Sequence, residues 1–252
     1  KAADLVHGFD GWLPLQAAAA VALADAALGV VLEAHPAAAA VTANAGGMYP
    51  LHIAASAGSG PKALELLLEA HPAAVAMTPV DAGGDYALHM AASAGSSPKA
   101  LAILLDAHTA ACLALDATQK TPFDLIPEKN REAVLSDIIE AVTTPEALQV
   151  LLQYSADRDL LDHCKHLVER GANPDVASAT DVRTPREIGK GSAKLRTYFK
   201  TLGHFCDTYE LARRPDHKTA TSVVRRAFGL DDAPVALKFM AHRDQHECEV
   251  KA

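Results

Sequence analysis

The chain has 252 residues, 50% of them apolar, 21% charged and only 5% aromatic, with a formal net charge of −8. Fifteen glycines and four cysteines in so apolar a chain exclude collagen-like, disulfide-dense and wholly disordered classes. The acidic balance argues against a nucleic-acid backbone as main partner, and no stretch of about 18 apolar residues escapes a charge, a proline or a polar break, which excludes a membrane-spanning helix.

Charge and alanine are unevenly spread. Residues 1–120 hold four lysines, no arginine and ten carboxylates, for a net −6, together with 37 of the 52 alanines. With so few rings, the core must be aliphatic and alanine-rich, which favours closely packed helices. Cys112, Cys164, Cys206 and Cys248 form no CxxC pair, which reads as reduced thiols of an intracellular, cytoplasmic protein. The alanine-rich run at residues 13–32 has the look of a leader, but Asp25 interrupts it and the pattern returns twice downstream, so it reads as part of a repeat. A first Lys and a final Ala252 inside an expected helix read as a fragment.

In chain order, GWLPLQAAAA begins at Gly11, MYPLHIAASAG at Met48 and DYALHMAASAG at Asp85, followed by GVVLEAHPAA, ALELLLEAHPAA and ALAILLDAHTAA. Pro14 and Pro50 lie 36 residues apart, Leu51 and Leu88 37, and a weaker copy, KTPFDLI, starts at Lys120. This period predicts a solenoid. Gly58 stops the first helix of a unit, and Pro61 opens the second, where its missing N–H is not needed. Each unit is therefore a helix, a tight turn and a helix, and stacking hides the apolar face that one pair cannot bury.

The units resemble the ankyrin repeat, whose T-P-L-H-x-A-A signature stands here as Tyr49-Pro50-Leu51-His52-Ile53-Ala54-Ala55 and Tyr86-Ala87-Leu88-His89-Met90-Ala91-Ala92. The resemblance implies that His52 and His89 are structural, tying the loop to the first helix, and that a protein partner binds on the concave face and loop tips without a cofactor. The first copy has Gln16 at the histidine position and the last Asp124; Leu13, Tyr49 and Tyr86 replace the threonine.

Further along, residues 132–142, 145–154 and 160–169 read as helices, with Thr144 capping the second. HLVERGANPDV matches a second helix and turn, and Arg183-Thr184-Pro185 opens one more unit closed by residues 194–199. The expectation is about five or six units over residues 5–202, irregular in the middle.

From Gly203 to residue 252 the pattern becomes strand and turn, with β-rich runs at 209–211, 222–228 and 234–240. Val235-Ala236-Leu237-Lys238 resembles the V-A-I-K strand of protein kinases, and Val224 precedes Lys238 by 14 residues. The resemblance implies a truncated kinase-like N-lobe of Ser/Thr type. In it Lys238 holds ATP phosphates beside Mg2+, Val224 and Ala236 flank the adenine, and Glu249, beginning a helix, pairs the lysine. Three departures stand: no glycine occurs over residues 213–222, Glu249 lies close to Lys238, and no catalytic loop follows. His242-Arg243-Asp244 mimics H-R-D by coincidence. This fragment contains no catalytic residue, and an active kinase and a non-catalytic, pseudokinase-type scaffold both remain open for the full-length protein.

Three other groupings read as structural. Asp162, His163, Cys164 and His166 lack a partner pair for a closed zinc site and read as a solvated helix end. His35 and His71 suit helix C-termini, donating to the last carbonyls. Arg213, Arg214, Lys218, Arg225 and Arg226 read as a solvated strand face. The fold class expected is thus mostly α, an ankyrin-type helix-turn-helix solenoid followed by a short β-rich segment.

Overall fold

In a computed structural model of the chain, the described residues are 12–21, 25–43, 47–79, 83–178 and 181–202, together with the backbone of six strands between residues 204 and 251. The chain divides into two compact units, residues 1–185 and 186–252.

The first unit is a stack of helix pairs. Helices α1 (Pro14–Ala20) and α2 (Asp25–Ala34), α3 (Pro50–Ser56) and α4 (Pro61–Ala70), and α5 (Ala87–Ala94) and α6 (Pro98–Ala107) follow one another. A 3-10 turn follows each second helix, at Pro36–Ala40, Pro72–Ala76 and Thr109–Cys112. Proline occupies the first turn of α1, α3, α4 and α6, where its fixed φ suits the helix. Gly95, at φ +73°, closes α5 in the left-handed region. First helices pack in one row, α1 on α3 on α5, and second helices in another, α2 on α4 on α6. Ala54, Ala55, Ala91 and Ala92 are buried between the rows with Leu51, Leu64, Leu88 and Leu101. Methyl-sized side chains let helix axes approach to about 8–10 Å.

The copy beginning at Lys120 departs from expectation. Its first helix is only a 3-10 turn, Pro122–Leu125. Pro127 is the cause: the residue before a proline is driven out of the helical region, and Ile126 sits extended at φ −68°, ψ 132°. Helix α7 (Glu128–Ala141) starts immediately afterwards, and α8 (Pro145–Asp157) and α9 (Leu161–Glu169) complete this part. The Thr144 hydroxyl accepts from the Ala147 N–H at 3.3 Å, making the cap of α8. Both carboxylate oxygens of Asp106, near the end of α6, accept from the N–H and hydroxyl groups of Thr143 and Thr144 at 2.8–3.2 Å. One side chain thus ties the second-helix row to the start of α8.

Helix α10 (Pro185–Ile188) straddles the division. In the second unit, a 3-10 turn at Gly189–Gly191 leads to α11 (Ala193–Thr201), capped by the Ser192 hydroxyl, which accepts from the Leu195 N–H. Leu195 and Phe199 are fully buried. Strands β1 (His204–Phe205), β2 (Tyr209–Leu211), β3 (His217–Lys218), β4 (Ser222–Gly229), β5 (Pro234–Met240) and β6 (Glu249–Lys251) pair antiparallel in the order β1-β2-β4-β5-β6, with β3 beside β4. Residues 5–11, His242-Arg243-Asp244, Arg213 and Arg214 lie outside the described residues.

Candidate interaction surface

The residue three places after each first-helix cap builds the recurring device of the stack. In the second pair, His52 Nδ1 accepts from the Tyr49 N–H at 3.2 Å, so Nε2 carries the proton and donates to the Met77 carbonyl at 2.9 Å. In the third, His89 repeats this with the Tyr86 N–H at 3.2 Å and the Ala114 carbonyl at 3.2 Å. The first pair reaches the same result with an amide: Gln16 Oε1 accepts from the Leu13 N–H at 2.8 Å and Nε2 donates to the Val41 carbonyl at 3.0 Å. All three side chains are buried. Each satisfies a helix-start donor and pins a carbonyl 25 residues downstream. Burial pushes the His52 ring below the usual histidine range, opposed in part by its bond to Met77.

Asp124 cannot continue the device, because a carboxylate has no proton to donate. It accepts from the Thr121 N–H and hydroxyl at 3.1 and 2.8 Å and from Arg158 Nη2 at 2.6 Å. Burial works against its charge, but the Thr121 bonds and the guanidinium groups of Arg158 and Arg131 outweigh it and hold the carboxyl below its ordinary range. Arg131 Nη2 supplies the missing donor instead, bonding the carbonyls of Asp124 and Ile126 at 3.0 Å. An open cavity of about 290 Å³ beside these groups is lined by Glu128, Lys129, Arg131, Glu132, Leu135, Tyr154, Arg158 and Leu160; its two guanidinium groups already serve Asp124 and the turn.

Sequence reasoning missed two glutamines of α8 that take up loop holding again. Gln149 Nε2 donates to the carbonyls of Asn173 and Val176 while its Oε1 accepts from the Asn173 N–H. Gln153 Nε2 donates to those of Asp181 and Arg183 at 3.1 and 2.6 Å. The available signal is a pair of amides four residues apart in an otherwise apolar helical phrase.

The pinned segments carry exposed apolar side chains. Val41 and Met77 are each 45% exposed and Leu115 51%, each on or next to a pinned carbonyl. The Gly83–Gly84 turn lies against the third of these: a Cβ on Gly84 would stand 3.8 Å from the Leu115 carbonyl oxygen. Asp85 follows, half-exposed, its carboxyl raised by burial and by the nearby Asp116 despite the attraction of His89. The Asp116 carboxylate is engaged with Thr118 and the Lys120 N–H.

The other residues singled out by the sequence separate clearly. Pro50, Leu51, His52, Ala54, Ala55, Leu88, His89, Ala91 and Ala92 all lie buried on α3 and α5. His71 and His108 pack their rings on Tyr49 and Tyr86, with centroids 5.2 and 5.1 Å apart. Among the described residues His108 Nε2 is buried with no hydrogen-bond partner. His163 and Cys164 are buried rather than solvated. His163 Nε2 lies 3.1 Å from Ser136 Oγ and 3.2 Å from the Glu132 carbonyl, which fixes α9 on α7. Among the described residues no group of three metal-ligating side chains converges, and no helix is long and apolar enough to cross a membrane. In the second unit Val224 pairs with Lys238 and Ala236 with Arg226 across β4 and β5. Glu249 is in strand β6, paired with Lys238 by register, rather than at the start of a helix; adjacency to β5 gives its backbone a ladder partner instead of helical bonds.

A stack of short helix pairs joined by pinned loops is the class of architecture these features define. Residues 46–78, which span α3, α4 and the following 3-10 turn, match the Ankyrin repeat family. No curated protein matches the chain in sequence. Among solved structures, the ankyrin repeat domain of Bcl-3, described as a unique member of the IkappaB protein family, is similar at 20% identity and TM-score 0.43, covering 78% of this chain and 83% of that one. The human ASB11 ankyrin repeat domain is similar at 19% identity and TM-score 0.41, covering 83% and 88%. A structure of the predatory endopeptidase Bd0816 of Bdellovibrio bacteriovorus in complex with immunity protein Bd3460 is similar at 18% identity and TM-score 0.38, covering 73% and 96%.

Proposed function

We propose that the stack within residues 12–185 is a protein-interaction module that presents its loops to a partner protein. The observation that carries this reading is the pinning of successive loops by Gln16, His52 and His89. Loops held in one geometry lose little conformational freedom on binding, which raises affinity. The ankyrin match over residues 46–78 supports the same reading. The test is to select binders to the 252-residue chain from a displayed random-peptide library and map protection by hydrogen exchange. Protection at residues 41–43, 77–79, 83–86 and 114–120 is expected; protection confined to the second-helix surface would overturn the reading.

A second reading concerns residues 203–252, taken as the start of a kinase-like lobe that these repeats target or regulate in the full-length protein. Placement of Lys238 on a strand flanked by β4 and β6, with Val224 opposite, supports it. The absence of glycine over 213–222 and the strand position of Glu249 favour a lobe that does not grip ATP, hence a scaffold. Titration of the full-length protein with ATP and Mg2+ tests this. Magnesium-dependent binding abolished by Lys238→Ala supports nucleotide use, and no binding supports the scaffold.

A further inference from the structure

Charge is divided unequally between the two units. Residues 1–185 hold ten Lys and Arg against 22 Asp and Glu, a net −12, whereas residues 186–252 hold 13 against nine, a net +4. The excess is concentrated at residues 188–202, which contain Lys190, Lys194, Arg196 and Lys200 and no carboxylate. All four are exposed, Lys190 in the 3-10 turn Gly189–Gly191 and the other three on α11. Leu195 and Phe199 are fully buried, so α11 is anchored through its apolar side chains and leaves its basic ones in water. Along the helix axis Lys194, Arg196 and Lys200 follow one another in steps of about 3 and 6 Å, inside the screening length of about 8 Å at physiological salt. Their fields therefore add.

Cations elsewhere are committed to partners. Lys62, Arg158, Lys165 and Arg183 pair with Glu65, Asp124, Asp162 and Asp181. Arg131, Arg170 and Arg186 donate to backbone carbonyls. Among the described residues, Lys190, Lys194 and Arg196 have no carboxylate partner. No acidic residue stands in the first turn of α11, where the helix dipole disfavours the Lys194 charge. An arriving carboxylate relieves this crowding.

The rest of the chain decides among acidic partners. Duplex nucleic acid and anionic membranes spread negative charge over surfaces much larger than this segment, and the overall −8 of the chain opposes their approach. The apolar side chains of α11 are buried, so they supply no insertion of the kind that seats an amphipathic helix in lipid. A short acidic stretch of a protein confines its charge to the patch. We propose that residues 188–202, through Lys190, Lys194, Arg196 and Lys200, dock a short acidic segment of a partner protein. This site is independent of the loop surface above.

Fluorescence anisotropy on the 252-residue chain tests the proposal with two labelled 12-residue peptides, one alternating glutamate and glycine and one alternating glutamine and glycine. The glutamate peptide is expected to bind at least tenfold more tightly and to weaken as salt rises from 50 to 300 mM. Lys194→Gln with Arg196→Gln should weaken it at least fivefold with an unchanged circular-dichroism spectrum. Lys62→Gln with Lys165→Gln removes the same charge from exposed positions of the first unit and should change binding less than twofold. Equal binding of the glutamine peptide, no binding of the glutamate peptide, or equal effects of the two double variants overturns the proposal. Displacement of the peptide by a 20-base-pair DNA duplex or by phosphatidylserine vesicles at lower total charge than unlabelled peptide requires overturns a protein segment as occupant.

Discussion

Replacing His52 isolates the pinning device, because the chain contains its own control. In His52→Ala the Tyr49 N–H and the Met77 carbonyl lose their partners, and a fully buried ring leaves a void. Two hydrogen bonds at about 1 kcal/mol each, plus the loss of buried ring contacts, give a cost of about 2–4 kcal/mol. In His52→Gln the amide is placed to make both bonds, as Gln16 does at 2.8 and 3.0 Å in the preceding pair. Its cost should be near 1 kcal/mol, the worth of the lost contact with the Tyr49 ring, whose centroid is 5.8 Å away. Urea unfolding followed by circular dichroism measures the totals. Hydrogen exchange at the Tyr49 amide reads the local effect, which matters because a linear stack opens in parts.

The same pair of variants carries a pH signature. Only the Nε2–H tautomer serves both bonds, and burial keeps the folded ring below the ordinary histidine value of 6.5. On acidification the unfolded ring takes up its proton first. The contribution is therefore complete above about pH 6.5 and is lost as pH falls toward the folded value. His52→Gln should remove that part of the slope while keeping most of the stability at pH 8. Equal destabilisation by Ala and Gln, or an unchanged acid slope in the glutamine variant, would refute the reasoning.

Asp106→Ala removes a carboxylate that accepts four bonds from Thr143 and Thr144; a loss of about 2–3 kcal/mol with faster exchange in the first turn of α8 is expected, and unchanged exchange there would count against the clamp. Asp124→Asn keeps an acceptor for the Thr121 N–H but loses the charge facing Arg158. The cost should be about 1 kcal/mol, small because the Arg158 side chain is 42% exposed. Because Asp124 sits below its ordinary 3.8, its contribution is present above that pH and is lost as pH falls through the folded value, so urea midpoints of the two proteins should converge in acid. In the second unit Gly189→Ala would place a Cβ 2.9 Å from the Phe199 ring and 3.1 Å from the Leu195 Cβ, costing about 1–3 kcal/mol; a neutral effect on local exchange around α11 would refute that packing.

The helix pairs are legible because two signals coincide in them: a 36–37-residue period, and proline and glycine at the positions where helices must start and stop. His52 and His89 are legible for the same reason, as polar residues at a fixed offset from an apolar run. Gln16 looks like a departure from the pattern, although an amide offers the same acceptor and donor as a neutral imidazole; residue identity hides the chemical equivalence. The shortened first helix at Pro122–Leu125 is masked by the likeness of KTPFDLI to the earlier copies, while Pro127 sets its limit. His163 looks solvated because its neighbours Asp162 and Lys165 are polar and exposed, yet it lies on the face that meets α7. The loop-holding role of Gln149 and Gln153 carries no period to reveal it.

The donor capacity of a single position also accounts for where the stack changes character. Gln16, His52 and His89 each combine an acceptor for their own helix start with a proton for a carbonyl 25 residues on. In each case the chain forms a loop there. Asp124 has the acceptor and lacks the proton, and residue 149, 25 places further on, lies inside α8 rather than in a loop. Only Val142, Thr143 and Thr144 connect α7 to α8, and Asp106 holds this short link from the preceding pair. Where amide donors return, at Gln149 and Gln153, pinned carbonyls return with them at Asn173, Val176, Asp181 and Arg183. A donor at position 124 therefore has nothing to hold: Asp124→His should lose the Arg158 pair without gaining a loop bond, and so be less stable than the native chain in urea unfolding despite restoring the repeat signature.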